Sequence, residues 1–356
     1  MTLRIVARAT HHPGETSADV DVPGDGTSRI WWRSPIIGEP NDNFLLPLTL
    51  LVAMRTGHDV FIDGHLSPAM LGRVSGIQDL LRRWDPSLDI VQVTTSGKRT
   101  RPPCGSSPGA GSFFSGGVDS FHTALTHRDT LDVLVFVAGF DIRHTRTRLI
   151  DRVARANQAA AKDLHLRLVR VATNVRQFSH RYLTWAEFHG SAMAATAHVL
   201  ALTRCYHPSS LSPGNALPYG SHPDLDAMWS SEGTEIIYDG YEVSRLDKTR
   251  VIAASDVARR YLRVCNVRDD EDDNCGRCEK CLRTLVALRI AGHRGPLPTF
   301  QRGLSLGDLA TRRDHRIPAL WQQNVDAAVA EGRDTALIQA LVRSIDHPLG
   351  RSRKQC

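Results

Sequence analysis

Two short stretches of this 356-residue chain carry residue types and spacings that could do chemistry. The first is Ser-Gly-Gly-Val-Asp-Ser, residues 115–120, which follows the apolar Ser112-Phe113-Phe114 and precedes a run that reads as a helix. Two adjacent glycines weaken both helix and strand, by about 1 kcal/mol per glycine in a helix interior. Their place here points to a turn that needs bare backbone. A strand, a glycine turn and a helix together make an anion cradle, because successive backbone N–H groups converge on the ligand and the helix N-terminus adds a partial positive charge. Gly116 and Gly117 would let oxygen atoms approach, Ser115 and Ser120 can donate hydroxyls, and Asp119 can carry Mg²⁺. No Gly-Lys-Ser/Thr follows, so this is not a Walker A loop. The second stretch holds Cys265, Cys275, Cys278 and Cys281, spaced C-x9-C-x2-C-x2-C. Two overlapping C-x2-C steps, one containing Gly276, can fold four thiolates round one tetrahedral ion, which suits a closed structural Zn²⁺ site. An iron–sulfur cluster is the competing occupant. The acidic run 269–273 reads as a solvated loop tip.

Elements must hold these residues in place. From 112 onward strands alternate with helices: Leu131–Phe140 is nearly continuous apolar sequence, as for a strand covered on both faces, and residues 148–165 and 185–205 read as helices. That alternation predicts an α/β fold with a doubly wound parallel sheet, which binds ligands beyond the carboxyl ends of its strands. Residues 1–98 read as an N-terminal α+β accessory domain and 99–111 as a linker. Residues 112–264 read as the nucleotide-binding catalytic domain. Residues 265–356 read as a metal-site and helical region ending in a frayed tail. The segment Tyr261–Cys265 reads as a short strand and 247–260 as one helix. With 41% hydrophobic and 23% charged residues the chain can bury a sizeable core. Its net charge of +6 favours an anionic small molecule without implying nucleic acid, and no basic stripe with interleaved aromatics is present. The longest apolar stretch, Asn43–Met54, is too short to span a bilayer and contains Pro47. With no signal-peptide pattern at the start, the expectation is a cytoplasmic protein, in which cysteines serve as metal ligands rather than disulfides. Cys104 and Cys205 read as inert.

The Ser-Gly-Gly-Val-Asp-Ser turn resembles the motif of the PP-loop ATP pyrophosphatases, and its combination with the later cysteine cluster resembles the 7-cyano-7-deazaguanine synthases over residues 112–290. Ser221-His222-Pro223-Asp224 is similar to that family's Tyr-Pro-Asp substrate motif, and Leu246-Asp247-Lys248 to its leucine-x-lysine helix start. The resemblance implies that ATP sits on residues 114–120, with Phe114, Ser115, Gly116, Gly117, Val118, Asp119 and Ser120 as its binding residues. It further implies Mg²⁺ and Zn²⁺ as cofactors, and cleavage of ATP to AMP and pyrophosphate. The family's substrate is the acid 7-carboxy-7-deazaguanine, which it couples to ammonia. Departures fall in the substrate region: Phe140–Arg148 replaces a Gly-Gln-Arg-His segment, Trp185–Ser191 an Arg-Asn segment, and Leu225-Asp226 a Cys-Arg pair. These losses, with the extra N-terminal hundred residues, make the chain look more like relatives in bacterial antiviral-defence operons, some of which join the deazaguanine to a protein amine.

Arg143 and Arg148, with His144 and Arg146, follow the second strand of the catalytic region, where guanidinium groups would stabilise charge as the α–β bond of ATP breaks. Against this stands a solvated basic helix start. Lys248 could do the same, or simply begin a helix. Asp119, Lys248, Arg143 and Arg148 are the candidate catalytic residues. His222, Asp224 and Trp185 are the candidate substrate-binding residues, since Asp accepts from a guanine edge and Trp stacks on a purine. Trp229 is a second stacking candidate, with core filling as its alternative. Glu187 and Asp239 are candidate general bases. The leading expectation is an ATP-dependent carbon–nitrogen ligase acting on a 7-deazaguanine carboxylate and an amine of a partner protein. Its alternatives are the ammonia-using small-molecule synthase, a PP-loop tRNA sulfur-transfer enzyme, and a nucleotide-binding regulator without activity. Residues 1–95 are expected to dock the acceptor and to be removable without loss of adenylation, the alternative being that they complete the core or form a homodimer. No membrane partner is expected.

Overall fold

A computed structural model of the chain describes residues 3–38, 41–97, 107–213, 217–265, 274–311 and 318–345. Cys104, most of the expected linker, the acidic run 269–273 and the C-terminal tail lie outside the described residues. In chain order the elements are β1 (Arg4–His12), β2 (Glu15–Val22), β3 (Gly26–Arg33), α1 (Leu45–Thr56), β4 (Asp59–Ile62), α2 (Pro68–Trp84) and β5 (Val93–Thr95). They continue as β6 (Ala110–Phe113), α3 (Val118–Thr126), β7 (Val133–Ala138), α4 (Thr147–Asp163), β8 (Arg167–Thr173), α5 (Val175–Ser179), α6 (Trp185–Val199), β9 (Arg204–Pro208) and β10 (Glu235–Asp239). The remainder is helical: α7 (Arg245–Ala254), α8 (Asp256–Tyr261), α9 (Glu279–Ile290), α10 (Leu306–Thr311), α11 (Pro318–Glu331) and α12 (Thr335–Ile345). The chain divides into two compact units. The N-terminal unit comprises residues up to Ser115 with Thr123–Glu242, and the C-terminal unit comprises Gly116–His122 with residues from Val243 onward.

The N-terminal unit is built on one mostly parallel ten-stranded sheet, in the order β10-β9-β6-β7-β8-β3-β2-β1-β4-β5. From β10 to β8 every pairing is parallel. In that block the first strand of the chain, β6, lies in the middle, with β7 and β8 laid to one side and β9 and β10 to the other. The strand order therefore reverses at β6, and such a reversal opens a crevice at the carboxyl ends of the strands. β1, β2 and β3 form an antiparallel meander, and β3 pairs antiparallel with β8 through Trp32–Thr173 and Arg33–Ala172. The first ninety-odd residues thus close no sheet of their own; they extend the one that carries β6.

Burial follows the pattern of residues along each element. β7 is buried throughout. Val133, Val135 and Val137 join the larger core while Phe136 and Ala138 join a second one with Leu149, Ile150 and Val153 of α4, so the strand is covered on both faces. Helix α1, apolar almost all round, is buried from Leu45 to Met54. Pro47 sits in its first turn, where a missing N–H costs little. The alanine-rich α6 packs against α1, and Trp32 Nε1 donates to Thr196 Oγ1 at 3.0 Å inside the core. The C-terminal unit has its own core of Leu282, Val286, Leu309, Trp321, Leu337 and Leu341.

Two expected elements differ. The helix expected over 247–260 is two helices, because Ser255 ends α7 and its side chain accepts from Ala258 N to start α8. Tyr261–Cys265 is not a strand: Val264 N and Cys265 N donate to the Asn274 side chain, at 2.7 and 3.0 Å, and not to a neighbouring strand. Among the described residues no helix is long and apolar enough to cross a membrane.

Candidate functional site

In the C-terminal unit the four clustered cysteines come together. The thiol sulfurs of Cys265, Cys275, Cys278 and Cys281 all lie within 4.8 Å of one another. Cys265 Sγ stands 3.6 Å from Cys275 Sγ and 3.8 Å from Cys278 Sγ, and Cys275 Sγ stands 3.9 Å from Cys281 Sγ. Four sulfurs each about 2.3 Å from one tetrahedral ion stand about 3.8 Å apart, so the set fits a single metal ion such as zinc. A cluster that places each thiolate on a different iron would spread them further. Local sequence makes this knuckle. Gly276 has φ +68°, and a Cβ there would come within 2.6 Å of the Arg302 carbonyl oxygen. Cys278 caps α9, and its N–H points at Cys275 Sγ at 3.3 Å. Donation from the Cys281 thiol, outweighing burial, pulls the Cys278 thiol down to about 5, so a thiolate is ready there. Asn274 ties the ligand segments together. Its Oδ1 receives Val264 N and Cys265 N, and its Nδ2 donates to Leu262 O at 2.8 Å. Sequence reasoning missed Asn274; the only signal is its place directly before Cys275.

The glycine turn leaves the carboxyl end of β6. Phe114 is buried, its N–H donates to Val135 O at 2.8 Å, and its carbonyl accepts from Asn157 Nδ2 at 3.3 Å. Buried Asn157, on α4, is a second supporting residue that no motif marks. Ser115 is exposed. Gly116 has φ +77°, a left-handed conformation that only glycine adopts cheaply, and its carbonyl accepts from Arg263 N at 2.8 Å. Val118 is buried at the first position of α3, and Ser120 Oγ donates to Gly117 O at 3.1 Å.

Asp119, in the first turn of α3, meets two cations from α7. Arg245 Nη1 approaches its Oδ2 to 2.6 Å, and Lys248 Nζ its Oδ1 to 3.6 Å. Burial pushes the Asp119 carboxyl up, but Arg245, Lys248 and Lys280 together outweigh it and hold it below the usual range. Oδ1 is shut from solvent and accepts no hydrogen bond. It could therefore offer one oxygen to a divalent cation, although Lys248 already stands beside it. Ser244 caps α7 by accepting from Asp247 N, which sets Arg245 and Lys248 on the first turn. Lys248 is buried, as an exposed helix-start lysine would not be.

In the N-terminal unit a row of rings crosses the carboxyl ends of the strands. Phe113, at the end of β6, stands edge-on to His207 of β9, with centroids 5.3 Å apart, and 6.2 Å from Phe140 beyond β7. Phe140 meets Trp185 at 5.3 Å, and His189, which follows on the same helix, meets Tyr219 at 4.4 Å. Trp185 also borders a cleft of about 820 Å³ with Arg55, Arg176 and Arg181, and the Arg176 guanidinium lies 5.2 Å from its ring. Burial holds His189 below its ordinary value against the pull of Asp226 and Asp141, so the ring is neutral at pH 7. Such a row can take a planar heterocycle.

His222 and Asp224 do not join that row. The His222 ring packs on Trp84 at 4.7 Å and its Nδ1 accepts from Asp224 N, while the Asp224 side chain is exposed. The polar centre of this segment is Asp226. Its Oδ2 receives Ser221 Oγ at 2.6 Å and pairs with His207 Nδ1 at 2.8 Å, and its Oδ1 receives His222 N at 3.0 Å. Asp226 is one of the residues by which this chain departs from the motif it resembles.

The remaining candidates separate. Arg143 and Arg148 are exposed, Arg148 on the first turn of α4 and Arg143 near enough to Arg176 and His180 to depress both. Trp229 is fully buried and fills core. Glu187 completes a capping box with Thr184 and pairs with Arg55 at 2.9 Å, so it is no base in waiting. Asp239 accepts from Thr123 Oγ1 and pairs with His127 Nε2, both at 2.6 Å. Burial pushes the Cys205 thiol well up, which makes it inert. Comparison of the chain with family models, curated proteins and solved structures finds no match.

Proposed function

We propose that this chain is a PP-loop, AMP-forming carbon–nitrogen ligase. It adenylates the carboxylate of a 7-deazaguanine acid and passes the acyl group to an amine of a partner protein, as in the defence-associated relatives it resembles. The observation that carries this reading is the position of the glycine turn. Ser115-Gly116-Gly117 follows the carboxyl end of β6, the strand at which the order of the parallel block reverses, and opens directly into α3. In a doubly wound sheet that is the ligand crevice, and a glycine turn opening into a helix there favours phosphate.

The chain's own groups then have assigned work. Backbone N–H groups of the turn bind the β,γ-diphosphate of ATP, with Ser115 and Ser120 as hydroxyl donors. Asp119 would hold Mg²⁺, which supplies charge neutralisation on the phosphates. Lys248, on the same unit as Asp119, stabilises negative charge as it builds on the leaving group. A substrate carboxylate oxygen attacks the α-phosphorus, the α–β bond breaks, and pyrophosphate leaves with the bond electrons. The amine then attacks the acyl carbon, loses its proton, and AMP departs. Trp185, Phe140 and Phe113 receive the planar ring, and the expected part of His222 and Asp224 in binding it falls away, because His222 packs on Trp84 and Asp224 faces solvent. The cysteine site would hold Zn²⁺ for folding alone, worth roughly 10 kcal/mol or more, because all four positions of a tetrahedral ion are filled by protein sulfur.

The test is direct. The protein is incubated with ATP, Mg²⁺ and 7-carboxy-7-deazaguanine, and AMP, pyrophosphate and an acyl-adenylate are sought by mass spectrometry, with and without the proteins encoded beside it. The expected result is adenylate formation without a partner and a mass increase on one partner protein. ATP that is bound but never cleaved, or free nitrile made from ammonia with no protein modified, overturns the ligase reading.

A further inference from the structure

Helix α9 starts at the metal knuckle and carries two cations on its opening turns. Cys278 caps it, and Lys280 and Arg283, three residues apart, share a face. Helix α7 packs against α9 and brings Arg245 and Lys248. Four cations thus collect in the C-terminal unit around two carboxylates, Asp119 and Glu279. Arg245 takes one oxygen of Asp119 at 2.6 Å, Lys248 stands 3.6 Å from the other, and Arg283 Nη1 stands 3.7 Å from Glu279 Oε1. Lys280 also draws on Asp119, and Arg283 is depressed first by burial and then by the charge of Arg245, with Glu279 and Asp119 drawing the other way.

The group is not complete in itself. Arg283 is only 9% exposed, yet its Nη1 is sealed from solvent and donates no hydrogen bond. Burying a charged N–H without a hydrogen-bond partner costs on the order of 1–3 kcal/mol or more. Two guanidinium groups within electrostatic reach of each other add to that cost. A second anion, with several oxygens to receive a fork of donors, would relieve both.

We propose that Arg283 and Lys280 of α9, with Arg245 and Lys248 of α7, form a diphosphate clamp, and that the four-cysteine knuckle positions the α9 half of it. The clamp rests on the ATP reading in one respect: its ligand is either the β,γ-diphosphate of bound ATP or the free pyrophosphate that leaves. The competing account of the same cations is that Lys280 and Arg283 offset the negative charge of metal-bound thiolates.

The experiment is calorimetric titration of the zinc-loaded full chain with inorganic pyrophosphate, α,β-methylene-ATP, orthophosphate and AMP. It is run on the parent protein and on Arg283→Gln, Arg283→Lys and Lys280→Ala. The parent is expected to bind pyrophosphate and the ATP analogue well ahead of orthophosphate and AMP. Arg283→Gln should weaken pyrophosphate at least tenfold while zinc stays at one per chain, and Arg283→Lys should recover part of the loss. Ligand-free Arg283→Gln should stay folded, since the repulsion from Arg245 and the pair with Glu279 are lost together. Equal weakening of the ATP analogue makes the clamp a site for bound ATP, and weakening of pyrophosphate alone makes it a product site; either supports it. Pyrophosphate affinity within twofold of the parent in Arg283→Gln, or zinc lost from that variant, overturns it. Removal of zinc by a chelator should abolish pyrophosphate binding; retained binding removes the positioning role of the knuckle. The two readings fail separately. Pyrophosphate binding that depends on Arg283, with no carboxylate adenylated, keeps the clamp and sinks the substrate. Adenylate formation with normal pyrophosphate binding in Arg283→Gln does the reverse.

Discussion

Under the proposed reading Asp119 has two duties, metal ligand and counter-charge, and they make its removal costlier than the loss of a metal ligand alone. It is the counter-charge of Lys248, whose ammonium is buried, and of Arg245. Asp119→Ala should therefore cut AMP formation by more than tenfold and also lower folding stability, on the order of 2 kcal/mol, less than a fully buried pair costs because Asp119 keeps about a fifth of its surface. AMP release and thermal unfolding of the same preparation check both parts, and unchanged stability would mean that the pair is solvent-screened. The pH dependence follows from the depressed carboxyl. The contribution of the pair is fully present above the ordinary value of 3.8 and is lost as pH falls through the lower folded value. At this scale the sequence is partly legible. The motif residues 115–120 and the four cysteines announce themselves by type and spacing. Asn274, Asp226 and Arg283 do not, since an isolated Asn, Asp or Arg has no periodicity, and each also meets a partner far along the chain, Cys265, His207 and Arg245 respectively.

At the scale of elements, α6 offers a pH-sensitive joint. His198 is buried on it, and its Nε2 donates to Trp229 O at 2.8 Å. Burial, against that hydrogen bond, holds the ring down to about 4, so it stays neutral in the folded chain, whereas the unfolded chain takes up the proton near 6.5. Between those values the unfolded state binds more protons. Stability should therefore fall as pH is lowered from 6.5 towards 4, by up to roughly 3 kcal/mol at 1.36 kcal/mol per unit. In His198→Gln, which keeps a donor, denaturant unfolding should show a flatter profile across that window; an unchanged profile would assign the slope to other groups. A helix with an apolar stripe and a strand with a continuous apolar run were readable in advance, as α4 and β7 show. Tyr261–Cys265 was not, because its N–H groups are taken by a side chain ten residues on, and Ser255 splits a helix by a cap that composition alone does not distinguish from a helical serine.

For the whole molecule the decisive fact is that β1–β5 share a sheet and a core with β6–β10. The expectation that residues 1–95 can be deleted with adenylation intact therefore gives way to a different one. Deletion would strip β8 of its partner β3, remove α1 from α6, and unseat Trp32 from Thr196. The shortened chain should be insoluble or lack cooperative unfolding. A folded, soluble product with normal near-ultraviolet circular dichroism would overturn this. The region is then no detachable docking module, and its part in the proposed acceptor recognition is testable only by surface substitutions that leave the sheet intact.

Sequence alone determined the class of architecture and the grouping of the four cysteines. A glycine pair between an apolar strand and a helix, and cysteines two residues apart, work through neighbours a few positions away, so spacing is enough to read them. Alternating apolar runs likewise declare strands covered on both faces. Tertiary structure decided what those elements meet. It joined the N-terminal meander to β8, turned His222 onto Trp84, and gathered Asp119, Lys248 and Arg283 round one region of the C-terminal unit. Such long-range pairings depend on which faces fit when the core closes, and a side chain's charge or shape does not name its partner until the chain has folded.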